Sequence, residues 1–323
     1  MESIDRIRMA RERLFTELRK VLVGQEEVLD LMLIALLARG HCLLTGVPGL
    51  GKTLLVKSLA QTLSLSFNRI QFTPDLMPAD IFGTEVVEED PASGKRHFRF
   101  VPGPVFTHLL LADEINRTPP KTQAALLEAM GEGQVTAAGR NLPLEPPFFV
   151  LATQNPIELE GTYPLPEAQL DRFLLNPVMD YLPEEEEVQM VAATTAPPTE
   201  PPTPVFSREE ILELQDLVLQ VPAAEEVVTD AVRLVAATRP QSPTAPQIVT
   251  EKVSWGAGSR ASQGLVMAGK ARALLHGRAH LAREDLRALA APILRHRVVP
   301  NFHAEAEGLK SDAIVGRLVE QFL

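Results

Sequence analysis

The sequence predicts an α/β fold: a parallel sheet flanked by helices, with inserted hairpins and a C-terminal all-helical domain. Short apolar segments alternate with amphipathic helical patterns through the first half of the chain. Buried apolar strands that alternate with helices are typical of a parallel sheet covered on both faces. No strand pattern follows the proline-rich stretch at 196–204. We therefore expect an α/β core over residues 1–200 and a small helical domain over residues 201–323.

The individual elements follow from the spacing of apolar residues. Predicted strands are short apolar runs, and predicted helices carry apolar residues three and four positions apart. Gly40 is a suitable stop for the second helix. The predicted strands are 41–45, 67–72, 108–113, 148–153 and 173–179. The predicted helices are 3–22, 25–39, 54–63, 121–130, 207–220, 224–238, 259–276 and 282–295.

Two stretches interrupt the alternation of strands and helices. Residues 86–106 contain the turn sequence Pro-Ala-Ser-Gly, and residues 134–147 contain Ala-Ala-Gly-Arg, each between strand-like flanks. Both are predicted to be hairpins inserted into the core. Residues 196–204 contain five prolines and are predicted to form a stiff, extended connector.

Composition excludes several classes of protein. The chain has 323 residues, of which 45% are hydrophobic and 23% charged, as in ordinary globular proteins. A net charge of −11 argues against a general polyanion-binding surface, although a local basic patch remains open. The single cysteine, Cys42, cannot form an internal disulfide and is expected to be a buried structural thiol. The apolar run at 29–38 is too short to cross a bilayer, so we expect a cytoplasmic protein without direct membrane insertion.

A complete phosphate-binding pattern follows the first strand. Glycines in such a loop let backbone N–H groups surround phosphates, and the next helix directs its positive end at the same anion. Lys52 is expected to neutralise the outer phosphates, and the Thr53 hydroxyl to bind magnesium. The sequence thus predicts a P-loop NTPase. The nucleotide-binding residues are Gly46, Val47, Pro48, Gly49, Leu50, Gly51, Lys52, Thr53 and Leu54.

Two carboxylates follow the third strand, at Asp113 and Glu114. Because the tip of a parallel strand lies beside the P-loop, Asp113 is expected to hold magnesium. Glu114 is expected to deprotonate the water that attacks the γ-phosphate. In isolation such a pair is often a solvated turn, but its position about sixty residues after a full P-loop favours catalysis.

Two further polar residues lie beside predicted strands, and the first of them is at the same edge of the sheet. Asn155 follows the fourth strand and could bind the attacking water or the γ-phosphate, although an Asn before Pro156 also suits a turn. Arg172 precedes the fifth strand. A structural ion pair with Asp171 is its alternative role.

Several of these segments resemble the MoxR family of AAA+ ATPases. The resemblance extends over nearly the whole chain. It rests on the sequences at 71–83, 113–117, 152–156 and 160–173, and on Leu-Arg-His-Arg-Val at 294–298.

The resemblance implies roles for individual residues. Asn155 falls at the sensor-1 position, and Arg172 at the arginine finger that reaches the nucleotide of a neighbouring subunit. Arg260 falls at sensor 2 on the helical lid, although Ser259 stands where the family more often has proline. The two hairpins resemble insertions that face a central pore. The stretch that touches the adenine corresponds to Val23, Gly24 and Gln25.

The resemblance also implies a function. It suggests a ring, most often hexameric, that uses ATP and Mg2+ to remodel a protein partner, commonly one with a von Willebrand factor A domain. A nucleic-acid motor is the main alternative, because Lys95, Arg96, His97 and Arg99 cluster in the first hairpin. Such a short basic turn is usually only solvated, so a nucleic-acid partner is not favoured. A phosphotransferase, a GTPase and a non-hydrolysing switch fit the sequence less well.

Overall fold

The computed structural model describes residues 2–47, 49–89, 96–137, 139–155, 161–197 and 200–323. Its strands, in chain order, are β1 (Cys42–Gly46), β2 (Phe67–Gln71), β3 (Gly83–Glu89), β4 (Arg96–Pro102), β5 (Leu109–Asp113), β6 (Gln134–Ala137), β7 (Arg140–Pro143), β8 (Phe149–Gln154), β9 (Val178–Met179), β10 (Val253–Trp255) and β11 (Val299–Pro300).

The helices surround these strands and fill most of the C-terminal part. They are α1 (Glu2–Leu18), α2 (Glu26–Leu37), α3 (Lys52–Thr62), α4 (Pro78–Phe82), α5 (Pro120–Glu132), α6 (Glu167–Leu170), α7 (Glu184–Thr195), α8 (Arg208–Gln220), α9 (Glu225–Ala237), α10 (Gln247–Lys252), α11 (Ser259–Leu275), α12 (Arg283–Leu294), α13 (Phe302–Ala306) and α14 (Ser311–Phe322).

Five strands form the parallel sheet that the sequence predicts. Their order is β2-β5-β8-β1-β9, and every neighbouring pair is parallel. Alternate residues of the strands enter two apolar clusters on opposite faces: Leu44 lies in one cluster and Leu43 in the other. The sheet is therefore buried on both faces, which confirms the α/β fold class.

The two predicted hairpins are present as antiparallel pairs. β3 pairs with β4, and β6 pairs with β7. The predicted turn at 91–94 and Lys95 lie outside the described residues, as does Ala138 of the second turn. Each hairpin therefore agrees with its prediction over the strands that the structure describes.

The fifth strand was predicted too long. Only Val178–Met179 forms a strand, although Leu175 also bridges Cys42. One physical cause shortens it: Pro177 faces β1 and has no N–H to donate to it. The Asn176 N–H, on the other side of the segment, donates to the Pro292 carbonyl of α12.

The prediction that strands cease after the proline-rich connector was wrong. β10 and β11 form an antiparallel pair in the C-terminal part. They have three and two residues, which is too short for an alternating pattern to be visible in the sequence. The sequence analysis also left α4, α6, α7, α10, α13 and α14 unassigned, and it extended α1 four residues beyond its end at Leu18.

The N-terminal helices pack against the C-terminal helices. α1 and α2 both contact α11, and α2 also contacts α8. One apolar cluster includes residues from the sheet, from α1 and α2, from α8 to α12 and from α14. The division of the chain at residue 200 stays a prediction.

Cys42 lies fully inside the sheet, as expected. Burial raises the pKa of its thiol, so the reactive thiolate is disfavoured. In the described part of the chain, no helix combines the length and apolar character needed to cross a bilayer.

Candidate active site

The P-loop joins the end of β1 to the start of α3. Gly49 and Gly51 have φ angles of 86° and 74°, in the left-handed region that L side chains rarely adopt. A Cβ atom at either glycine would meet no heavy atom within 4 Å, so the loop encloses open space. Gly46 is required for a different reason: a Cβ there would lie 2.6 Å from the Met179 carbonyl oxygen. Pro48 lies outside the described residues.

Lys52 is the first residue of α3 and points back into the loop. Its ammonium donates to the Gly46 carbonyl. Burial lowers the pKa of Lys52, while the negative charges of Asp113 and Glu114 oppose that shift. The lysine therefore lies within electrostatic reach of both carboxylates.

Asp113 ends β5 and is held by two neighbouring strands. The Thr153 hydroxyl on β8 donates to its Oδ1 atom at 2.6 Å. Arg69 on β2 forms an ion pair with its Oδ2 atom, also at 2.6 Å. The carboxylate is thus fixed at the tip of the strand.

Glu114 has a left-handed backbone, with φ of 58° and ψ of 49°. Such a conformation costs a non-glycine residue about 1–2 kcal/mol and is concentrated at functional sites. Its N–H donates to the Thr153 hydroxyl at 2.8 Å. Its Oε2 atom accepts hydrogen bonds from Gln71 at 2.8 Å and from Arg117 at 3.0 Å.

One cavity of about 310 Å³ brings the predicted phosphate and magnesium residues together. Gly49 to Thr53 form one side of it, and the tips of β2, β5 and β8 form the other. Asn155 lines this cavity and is 6% exposed, so the predicted sensor lies where expected. A hydroxyl and a carboxylate on one cavity suit Mg2+, which takes few protein ligands besides phosphate and water. Its lining also includes Arg69, Gln71, Asp113 and Glu114.

A second cavity of about 420 Å³ adjoins the loop and is mainly apolar. Val23 and Gln25 line it, together with Leu54, as expected for a site that holds a base. The Gln25 amide is fixed by a 3.0 Å bond to the Asp180 carbonyl. Gly24 and Val47 lie beside the two cavities rather than in their linings.

Sequence reasoning missed one wall of this second cavity. Met190, Ala193 and Thr194 of α7 line it. The start of α7 could have been recognised, because Pro183 is followed by four glutamates, and acidic residues in a first turn favour a helix. Sequence reasoning also missed Arg69 and Gln71. Their side chains lie at the site only because β2 pairs with β5.

Two predicted catalytic arginines lie elsewhere. The Arg172 guanidinium donates to the Leu127 carbonyl of α5 at 2.6 Å. Arg260 lies 3.5 Å from the Asp171 carboxylate, and 61% of its side chain is exposed. Neither is among the described residues that line the two cavities. Arg172 follows Asp171 in the chain, and Arg260 faces the Asp171 carboxylate, so both arginines lie at the same short segment.

Comparison with known proteins agrees with this site. Residues 41–175 match the ATPase family associated with various cellular activities (AAA), and residues 245–318 match the AAA lid domain. YeaC of Bacillus subtilis is 43% identical over 94% of this chain and 91% of its own length. Chaperone MoxR1 of Mycobacterium tuberculosis is 40% identical over 96% of this chain and 81% of its own length.

A more distant relative and a solved structure extend the same pattern. Protein MoxR of Methylorubrum extorquens is 32% identical over 90% of this chain and 88% of its own length. The crystal structure of a protein from Cytophaga hutchinsonii superposes with a TM-score of 0.91 at 39% identity, covering 100% of this chain and 96% of that chain.

Fold, P-loop and similarity together define a nucleotide-binding AAA+ protein. The chain belongs to the MoxR family of AAA+ ATPases. It is an ATPase, and one of its relatives carries the name chaperone.

Proposed function

We propose that this ATPase assembles into a ring, most simply a hexamer, and hydrolyses ATP at the interfaces between subunits. The observation that carries the proposal is the division of the predicted catalytic groups. Lys52, Asp113 and Glu114 surround the P-loop cavity, whereas Arg172 and Arg260 lie outside it. A neighbouring subunit would supply the two arginines, which then complete the positive charge around the γ-phosphate.

The residues around the P-loop would bind ATP and Mg2+ in the following way. Thr53 and Asp113 would hold Mg2+, which neutralises charge on the phosphates. Lys52 would bind the outer phosphates. Glu114 would take the proton of the attacking water, and Asn155 would orient that water. The apolar cavity beside Val23 would hold the base.

The energy of hydrolysis would serve to remodel a protein partner in the cytoplasm. The chaperone name of the relative from Mycobacterium tuberculosis supports a protein partner. A partner with a von Willebrand factor A domain remains a proposal from the family resemblance.

The charges of the first hairpin weigh against a nucleic-acid motor. Arg96 pairs with Glu89 at 3.3 Å, and Arg99 pairs with Glu88 at 2.8 Å. His97 also lies 3.7 Å from Glu88. The described basic side chains of this hairpin therefore face carboxylates on the opposite strand, which reduces their attraction for phosphates.

Mixing two inactive variants tests the division of the site. Arg172→Ala should bind ATP normally and hydrolyse it about 10³–10⁵-fold more slowly, the contribution of such arginines in GTPases. Glu114→Gln should bind ATP and also fail to hydrolyse it. A mixture should regain activity, because some interfaces join the intact Glu114 of one subunit to the intact Arg172 of another.

The measurement is phosphate release at fixed total protein across mixing ratios. Sedimentation velocity with ATP, on one labelled and one unlabelled variant, shows whether mixed rings form. A maximum at intermediate ratios supports the proposal. Zero activity at every ratio, with mixed rings demonstrated, would refute it.

A further inference from the structure

Residues 171–176, the Arg172 segment, are attached to the C-terminal lid by several hydrogen bonds. The lid residues are Arg295, His296 and Arg297, which follow α12. The sequence analysis used this run only to recognise the family, and the proposed mechanism gives it no role.

Of these three lid residues, Arg297 donates the most side-chain hydrogen bonds. Its side chain is 4% exposed. Its Nε atom donates to the Asp171 carboxylate at 2.7 Å, and its Nη2 atom donates to the Phe173 carbonyl at 2.7 Å and to the Asp171 carbonyl at 3.2 Å. Its Nη1 atom donates to the Leu174 carbonyl at 3.2 Å and to the Ile293 carbonyl at 2.6 Å. The guanidinium thus uses its full set of N–H donors, and most of them bind residues 171–174.

The two preceding residues extend the same contact. The His296 Nε2 atom lies 3.1 Å from the Phe173 carbonyl oxygen, and Arg295 Nη1 donates to the Asn176 carbonyl at 2.8 Å. The Asn176 N–H donates in return to the Pro292 carbonyl at 2.7 Å. The carbonyl groups of Asp171, Phe173, Leu174 and Asn176 are therefore bound to the lid.

This attachment also positions Arg260. The Oδ1 atom of Asp171 binds Arg297, while its Oδ2 atom faces the Arg260 guanidinium at 3.5 Å. Arg172 follows Asp171 directly, so its backbone lies between residues whose carbonyl groups Arg297 binds. One buried guanidinium thus connects both arginines that lie outside the P-loop cavity.

We propose that Arg297 is a positioning residue that fixes the Arg172 segment to the lid, so that the orientation of Arg172 and Arg260 depends on the lid as well as on the contacts of this segment with His41 and Leu127 of the core. This inference rests on the proposed role of Arg172 at a neighbouring subunit. Buried ion pairs are weak contributors to stability relative to apolar packing, and a planar guanidinium is suited to fixing geometry.

The test is Arg297→Lys, which keeps the charge but replaces the planar set of donors with a single flexible ammonium. ATP affinity should stay within about 2-fold of wild type, because Arg297 lies outside the P-loop cavity. Turnover should fall about 10–100-fold, the effect of misplacing a catalytic group by about 1 Å. Arg272→Lys is the matched control, since Arg272 binds Asp285 within the lid at 2.7 Å. It should retain turnover.

Mixing experiments separate positioning from a general defect in folding. Arg297→Lys keeps an intact Glu114 and P-loop, so mixing it with Glu114→Gln should restore activity, with a maximum at intermediate ratios. Mixing it with Arg172→Ala should restore none, because both variants present a defective arginine. A variant that was merely misfolded would fail in both mixtures.

The outcomes also separate this inference from the proposed function. If Arg172→Ala with Glu114→Gln regains activity but Arg297→Lys with Glu114→Gln does not, the positioning role is wrong and the interface mechanism stands. Wild-type turnover in Arg297→Lys would also overturn it. If the first mixture regains nothing, the interface mechanism itself fails.

A second variant covers the case in which Arg297→Lys does not fold. Arg295→Gln removes one bond to the same segment, at Asn176. It should lower turnover less, by about 3–10-fold for one hydrogen bond, and show the same pattern in the two mixtures. Unchanged turnover in a folded Arg295→Gln ring would then overturn the inference.

Discussion

The two halves of the proposed catalytic site are held in place by different kinds of contact. The P-loop half is built from strand ends that meet at one edge of the sheet, and Thr153 and Arg69 fix its carboxylates from adjacent strands. The arginine half is held by lid residues more than a hundred positions away in the chain, chiefly Arg297. The first half is therefore a property of the sheet, and the second half depends on the position of the lid.

The His41 imidazole and backbone lie at the edge of the sheet where β1 and β8 begin, opposite the edge that carries the P-loop. Its Nδ1 atom accepts the Val150 N–H at 3.0 Å, and its Nε2 atom lies 3.2 Å from the Met130 carbonyl oxygen. Its own carbonyl accepts the Leu174 N–H at 2.8 Å, two residues after Arg172. His41 therefore supports the arginine half from the core.

The largest expected effects separate binding from chemistry within the P-loop half. Lys52→Ala should weaken ATP binding by about 2–5 kcal/mol, because the charge opposite the outer phosphates is lost. Glu114→Gln should keep ATP affinity within about 3-fold and lose about 10²–10⁴-fold in turnover, the usual contribution of a general base. Fluorescent-nucleotide titration and phosphate release measure the two effects.

The two variants control for each other, since both residues line the same cavity. Equal ATP affinity in wild type and Lys52→Ala would show that this lysine does not bind the phosphates. Loss of binding in Glu114→Gln would instead assign the carboxylate a structural role.

The same contrast explains how much the sequence could predict. The P-loop, Asp113, Glu114 and Asn155 were found because each follows an apolar strand directly, and parallel strands bring their carboxyl ends together. Arg69 could not be found, because its contact with Asp113 depends on the strand order, which places β2 beside β5. The order of strands is a tertiary property that the local pattern does not contain.

The arginine half was predicted only by resemblance, and its support was not predicted at all. Arg297 and Asp171 are 126 positions apart in the chain. No local spacing connects them, and each reads as an ordinary surface charge. Their contact lies beside the strand that was expected at 173–179: the lid binds the Phe173 and Asn176 carbonyls, while the Leu175 and Pro177 carbonyls accept hydrogen bonds from β1.

A smaller effect is expected from acid, through His41. Burial lowers the pKa of His41 from its ordinary value of 6.5 to about 4. Protonation would place a donor at Nδ1, opposite the Val150 N–H, so the folded state resists it. The unfolded state therefore binds more protons below pH 6.5, and stability falls as the pH decreases from 6.5 towards 4, by at most about 1.4 kcal/mol per pH unit.

Urea unfolding at pH 7.5 and at pH 5.0 checks this. The free energy of unfolding should fall by about 2 kcal/mol through His41 alone, and His41→Asn should remove that part of the pH dependence. Burial also lowers the pKa of His296, which adds a loss of the same sign in every variant. His280→Asn, at an exposed histidine, should leave the pH dependence unchanged. An equal pH dependence in His41→Asn and wild type would contradict the assignment.

The smallest expected effect concerns the contact between Arg172 and helix α5. A Cβ atom at Gly131 would lie 2.7 Å from the Arg172 Nη1 atom, whereas one at Gly316, in α14, would meet nothing within 4 Å. Alanine is favoured over glycine in a helix by about 0.5–1 kcal/mol, so Gly316→Ala should raise the free energy of unfolding by about that amount. Gly131→Ala should gain less, because the guanidinium must move away from the Leu127 carbonyl.

Turnover distinguishes these two glycine variants most clearly. Losing one hydrogen bond that orients Arg172, worth about 1 kcal/mol, should slow hydrolysis about 5-fold in Gly131→Ala, with ATP affinity unchanged. Gly316→Ala should hydrolyse ATP at the wild-type rate, since the added methyl group would touch none of the described atoms within 4 Å. Steady-state phosphate release, at matched ring concentration, gives the comparison. Equal turnover in the two variants would show that α5 does not orient Arg172, and would leave the lid contact through Arg297 as the support that fixes it.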